Sequence, residues 1–409
     1  MNAPQRIPAT AALRPSQRAL AARSSVVREI LKVTMRPEVI SLAGGLPAPE
    51  SFPVEALRAG FDAELAQDGP ARQALQYSTT EGHLPLREWV AAQESARGAP
   101  TTADQVLVVA GSQQALDLLG KAFVEREAPL LVESPTYLGA LQAFNLFDAT
   151  YRALPTDDDG LQPQAIDAAM ARDARALYVM PNFQNPTGRT LSLARRIALA
   201  EAARRHDLWL IEDDPYGELW YRAVPPPSLR TFAPERTIRV CSFSKVLAPG
   251  LRLGYVIAPA ECIELLVRLK QATDLHTATL TQRAACRVLA SGLLEAHLPP
   301  VRARYARQCE AMLAALQDAM PAGVQWTRPD GGMFVWLTLP TGIDAMALLR
   351  QAIEQNVAFV PGEPFFAESP LKHTLRLSFV TVPPEKIAAG VAVLGRLIAQ
   401  SIDNNKETR

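Results

Sequence analysis

From about residue 103 to residue 259 the chain alternates short uninterrupted apolar runs with segments whose apolar residues recur every three or four positions. The runs predict strands over 105–110, 130–133, 150–154, 176–180, 208–212, 237–243 and 253–258. The helical spacing predicts helices over 113–124, 136–146 and 192–206. Strands that are apolar at every position, rather than at alternate ones, are buried on both faces. Their alternation with helices implies an α/β fold, a mainly parallel sheet of the seven-stranded type with helices on both faces.

Beyond residue 260 the spacing is helical to about residue 317, with a long amphipathic run from Leu298. Strands over 323–327, 333–338, 357–360 and 374–379 then mix with helices over 345–355 and 384–399, which predicts a smaller α+β domain. The expected organisation is an N-terminal arm and mobile helix over 1–40, a large domain over 41–290 and the small domain over 291–409. A length of 409 residues suits more than one core.

Charge narrows the partners. Lys plus Arg and Asp plus Glu both number 42, so no net field attracts nucleic acid or an anionic membrane. No apolar run approaches a membrane span. Cys241, Cys262, Cys286 and Cys309 are widely spaced and the histidines scattered, which argues against a disulfide framework or a metal site and for a reducing, cytoplasmic location. Arg6, Arg14, Arg18, Arg23 and Arg28 precede the first acid, Glu29, as in a transit peptide, but no secretory apolar core is present; the segment reads as an arm.

The chemistry-bearing residues follow the predicted strands in turn: Gly111 to Gln114; Ser134 to Tyr137; Asn182 to Gly188; Asp213 to Tyr216; and Ser242 to Lys245. Any one of these is ordinary turn chemistry. Five on one rim of a parallel sheet, where ligands bind, point to a site. Lys245 follows a buried strand between hydroxyl groups, and Arg252 comes seven residues later. A lysine so placed suits a Schiff base with a bound aldehyde, and the serines with Arg252 suit a phosphate on that aldehyde; the combination suggests pyridoxal 5'-phosphate.

With these motifs in consistent order from about residue 25 to residue 399, the chain resembles the fold-type I pyridoxal-phosphate enzymes. It is most similar to the class I/II aminotransferase branch holding 2-aminoadipate, kynurenine and aromatic or leucine aminotransferases. The resemblance implies that Lys245 is the Schiff-base lysine and that Asp213 pairs with the pyridine nitrogen, with Asp214 the competing candidate. It implies that Tyr216 and Asn185 donate to the phenolic oxygen, and that Tyr137 lies against the ring. Ser112, Gln113, Ser242, Ser244 and Arg252 would hold the phosphate, joined by Tyr77 from a partner subunit of a homodimer. Arg376 would grip the substrate α-carboxylate, Gly45 would lie in a substrate-covering loop, and Ser25 and Arg28 would meet an acidic side chain. The expected activity is ping-pong amino transfer from an L-amino acid to a 2-oxo acid, 2-oxoglutarate foremost. Decarboxylation or β-elimination on the same scaffold is the enzyme alternative. An effector-binding module of a DNA-binding regulator is disfavoured, since only some 25 residues precede the matching region.

Overall fold

The computed structural model describes residues 14–21, 30 and 36–407; Ser25 and Arg28 lie outside the described residues. In chain order the strands are β1 (Ile40–Ser41), β2 (Val106–Val109), β3 (Leu130–Ser134), β4 (Tyr151–Asp157), β5 (Gly160–Leu161), β6 (Ala176–Val179) and β7 (Trp209–Asp213). They continue with β8 (Thr237–Ser242), β9 (Gly254–Ile257), β10 (Gln325–Trp326), β11 (Phe334–Thr338), β12 (Val357–Ala358), β13 (Val360–Pro361) and β14 (Thr374–Ser378). Eight form one sheet in the order β2-β9-β8-β7-β6-β3-β4-β5. Strand β9 runs against both neighbours and β5 against β4, so the other six share one direction. The seven expected strands are all present, and the two-residue β5 adds the eighth.

Alternation along each strand divides the core between the two faces. Leu107 and Val109 pack with Leu116 and Leu119 of the helix Ser112–Phe123, whereas Val106 and Val108 pack with Leu86 and Val90 of the helix Leu84–Ala96. Farther along the sheet, Leu177 and Val179 meet Leu199 and Ala203 of the helix Leu193–Arg205. Each fully buried Leu or Val contributes about 1.5–3 kcal/mol. Because the co-directional strands end on one side, their loops gather there, and Arg252 joins them by lying just before β9, one residue removed from it.

The second sheet, β10-β11-β14-β13, is antiparallel throughout. Its neighbouring helices, Leu293–Ala319 and Pro384–Glu407, pack against each other. The first of these runs through Pro299 and Pro300 and starts earlier than the amphipathic run suggests. Each proline removes one intrahelical hydrogen bond. Glu295 and Ala296, whose carbonyls lose those donors, are exposed, so water can replace them. The strand expected over 357–360 is two: β12 pairs in parallel with β1, and after Phe359 β13 pairs with β14. The segment after β1 is held to the same side, Leu42 N–H donating to Ala358 O at 2.8 Å and Ser378 N–H donating to Leu42 O at 2.7 Å. The helices Val54–Leu65, Asp68–Ala74 and Leu84–Ala96 have no counterpart in the sequence reading; Gly60 and Gly69 interrupt the apolar spacing of the first two.

Candidate active site

The residues after Asp213 show why one of two adjacent carboxylates is different. Asp214 is bound by Arg239 Nη2 at 2.7 Å and by the Gly217 N–H at 2.9 Å. Burial pushes its carboxyl up, but the charge of Arg239 and hydrogen bonds from Asn182 and Arg239 hold it below the ordinary range. Asp213 takes the Tyr178 hydroxyl on Oδ2 at 2.7 Å, while its buried Oδ1 has no partner. Burial pushes its pKa up to about 7, the Tyr178 hydrogen bond opposing and Asp214 assisting. A buried acceptor without a donor is costly, and here it is a landing point for an N–H.

Lys245 is half-buried, and its Nζ donates to Gly45 O at 2.8 Å. Desolvation, then the charges of Arg376 and Arg252, bring its pKa down to about 8. Arg376 projects from β14, its Nη2 donating to Ala43 O at 2.7 Å and its Nη1 to Asn185 Oδ1 at 2.8 Å. Its guanidinium lies over the Phe334 and Phe365 rings, 4.2 and 5.3 Å from their centroids. Because Asn185 Oδ1 accepts from Arg376, its amide N–H₂ is turned to donate, and Tyr216 is its partner. Burial raises the Tyr216 and Tyr137 hydroxyl pKa values, the latter to about 12. Tyr216 packs edge-on to Phe334, at 5.8 Å between centroids.

At the opposite end of this group, Gly111 has φ +87, and a Cβ there would stand 2.7 Å from Arg252 Nη2. Ser112 begins the helix Ser112–Phe123, whose first backbone N–H groups and dipole favour an anion. Arg252, itself at φ 50, donates from Nη2 to Ala110 O at 3.3 Å. Ser242 Oγ accepts from the Ser244 N–H at 3.1 Å. Gln113 is exposed and reaches Gly139 O at 3.2 Å. Its neighbour Gln114 instead holds the loop, accepting from the Ala110 N–H at 2.8 Å and from Lys270 at 3.1 Å. Tyr77 stands apart from these contacts, 78% exposed and edge-on to His276.

Lys245, Gly45, Arg376, Asn185, Tyr216 and Asp213 are thus brought together, with Ser112, Ser242, Ser244 and Arg252 at the helix end. Tyr178, Phe334, Phe365 and the Arg239 cluster were not singled out from sequence, and Gln114 was included in the first motif without a role of its own. Only Gln114 carried a signal, by its place at a helix start after a strand. Tyr178, Phe334 and Arg239 sit inside strands and Phe365 in a short 3-10 turn, where polar or aromatic residues look like core. The geometry fits pyridoxal phosphate: an unsatisfied acceptor for a ring N–H, an amine of low basicity for an aldehyde, and N–H groups, hydroxyls and a guanidinium for a phosphate.

The chain matches the family model Aminotransferase class I and II over residues 42–394, and it belongs to that family. It is 44% identical, over 92% of its length and 94% of the relative's, to 2-aminoadipate transaminase of Thermus thermophilus. Identity to aromatic-amino-acid aminotransferase 1 of Thermococcus litoralis is 41%, covering 95% and 94%. Among solved structures, Pyrococcus horikoshii kynurenine aminotransferase in complex with PMP superposes with a TM-score of 0.90 at 41% identity, covering 94% of this chain and 96% of that one. The fold is that of the fold-type I enzymes, and the protein is a pyridoxal-phosphate-dependent aminotransferase that transfers amino groups from amino acids to 2-oxo acids.

Proposed function

We propose that the protein runs a ping-pong transamination with 2-oxoglutarate as acceptor and 2-aminoadipate, glutamate, aromatic or branched-chain amino acids as donors. One observation carries the assignment of the site: Lys245 and Arg376 donate to carbonyls two residues apart, Gly45 and Ala43, so amine and guanidinium border the same short segment. Bound there, pyridoxal phosphate supplies the aldehyde that accepts the amine and a ring that delocalises the electrons left as the Cα–H bond breaks. Arg376 binds the α-carboxylate with its planar fork, which orients Cα–H toward Lys245. Lys245, with its proton affinity lowered by burial and two arginines, takes that proton and returns it to the carbon that will carry the amine. Asp213 Oδ1 accepts the ring N–H, Asn185 and Tyr216 donate to the phenolic oxygen, and Tyr137 covers the ring. Ser112, Gln113, Ser242, Ser244 and Arg252 hold the phosphate. The exposed Tyr77 reaches the phosphate of a second subunit in a cytoplasmic homodimer. Among the described residues no helix is long and apolar enough to cross a membrane. Residues 41–290 carry the cofactor and 291–409 close over the substrate, with Ser25 and Arg28 selecting acidic side chains.

The test is a half-reaction panel. The holoenzyme is mixed with glutamate, 2-aminoadipate, leucine or phenylalanine, and conversion of the cofactor to its amine form is followed with release of the oxo acid. Acidic donors should react fastest, and Arg28→Ala should slow them selectively; equal slowing of leucine would sink the role of Arg28. Lys245→Ala should slow every donor by about 10⁴-fold or more. If no donor converts the cofactor, the reading fails.

A further inference from the structure

Tyr178 lies in β6, fully buried, its ring edge-on to Phe144 at 5.8 Å between centroids. In the β6–β7 ladder it pairs with Ile211, so Asp213, two residues along β7, projects from the same face one step toward the rim. That register brings the hydroxyl to Asp213 Oδ2 at 2.7 Å. With Oδ2 engaged, the carboxyl plane is fixed and Oδ1 is the oxygen left to face a ligand.

The donor is also neutral. The buried cation Arg239 is taken by Glu94, by Asp214 at 2.7 Å and by Glu212 at 3.6 Å, the last two flanking Asp213 in sequence. An ionised Asp213 is therefore offset by no side-chain cation of the Arg239 cluster, while Arg239 keeps its neighbours from competing. An arginine on Asp213 would hold the carboxylate ionised but neutralise it toward a ligand. A phenol orients and stabilises the anion without adding a positive charge.

We infer that Tyr178 is a positioning residue of the amino-transfer reaction: its hydroxyl selects the Asp213 oxygen that meets the pyridine nitrogen and preserves that oxygen's negative charge for the ring N–H. The inference rests on the reading of Asp213 as the partner of that nitrogen.

The test uses apoenzyme, pyridoxal phosphate and the analogue in which CH replaces the pyridine nitrogen, and it reads the ratio of the two dissociation constants. The ratio reports the nitrogen contact alone, because general damage to the site weakens both ligands equally. Tyr178→Phe should reduce the ratio by about tenfold, the value of one hydrogen bond to a charged group. Its apoprotein should melt somewhat below wild type, because Asp213 Oδ2 loses its donor, and the extra stability conferred by the natural cofactor should shrink as well. Asp213→Asn should remove most of the ratio, and adding Tyr178→Phe to it should change nothing further. This double variant replaces both members of the buried pair and so serves if Tyr178→Phe alone does not fold. An unchanged ratio in Tyr178→Phe, or a further loss in the double variant, overturns the role of Tyr178. A ratio unchanged in Asp213→Asn overturns the reading of Asp213 itself.

Discussion

The two sides of the site are built on different principles. On the eight-stranded sheet the groups come from loops at strand ends, and the side-chain partners leave atoms open: Asp213 Oδ1 is buried without a donor. On the four-stranded sheet Arg376 sits within β14, in register with Trp336 on one side and Val360 on the other. Both its Nη atoms are already bonded and two rings flank it, leaving only Nε unpartnered. The first side is prepared for a ligand that stays. The second holds its cation with neutral acceptors that a carboxylate can replace, as suits the proposed substrate, which must arrive and leave at every turnover. Asn185 joins the two, accepting from Arg376 and meeting Tyr216.

Separating the sides by mutation tests that contrast. Arg376→Lys keeps a charge but loses the fork. It should lower kcat/KM by about 10²–10³-fold, as expected for two charge-assisted hydrogen bonds, and leave cofactor affinity within about threefold of wild type. An equal fall in cofactor affinity would show that the sides do not act separately. Gly111→Ala should give the opposite pattern. At φ +87, and with a Cβ 2.7 Å from Arg252 Nη2, an alanine strains the loop and displaces the guanidinium. A strain of about 1–3 kcal/mol predicts cofactor binding weakened by about 10–100-fold, with the KM for the amino acid of the reloaded enzyme near wild type.

The same contrast explains what was legible in the sequence. Loops such as Asn182–Gly188 and Ser242–Lys245 stand out because polar residues interrupt apolar runs, and the sheet places them on one rim without further information. Arg376 stands out from its strand only through resemblance, since an arginine between leucines also suits an amphipathic strand. Tyr178 carried no signal: its function depends on the register between β6 and β7, which pairs residues more than thirty positions apart. Neighbouring Asp213 and Asp214 were separable only by spacing to Tyr216 until the structure placed Arg239 on Asp214. The helix through Pro299 and Pro300 was hidden because the exposure that makes prolines tolerable there is set by tertiary packing.

The smallest expected effect couples the two sides through charge. In the apoenzyme Lys245 is surrounded by desolvating groups and by Arg376 and Arg252, all of which disfavour its ammonium, so its pKa falls from 10.5 to about 8. The neutral amine attacks the aldehyde; the rate of cofactor capture should therefore rise with pH up to about 8 and level off above it. An unperturbed lysine would keep rising toward 10.5. Stopped-flow absorbance between about pH 7 and 10 reads the knee directly. Arg376→Gln removes one of the two cations, so the ammonium becomes easier to form and the knee should move upward by a fraction of a pH unit. A knee that stays in place would mean that Arg376, although it borders the same segment as Lys245, does not help set the basicity of the amine.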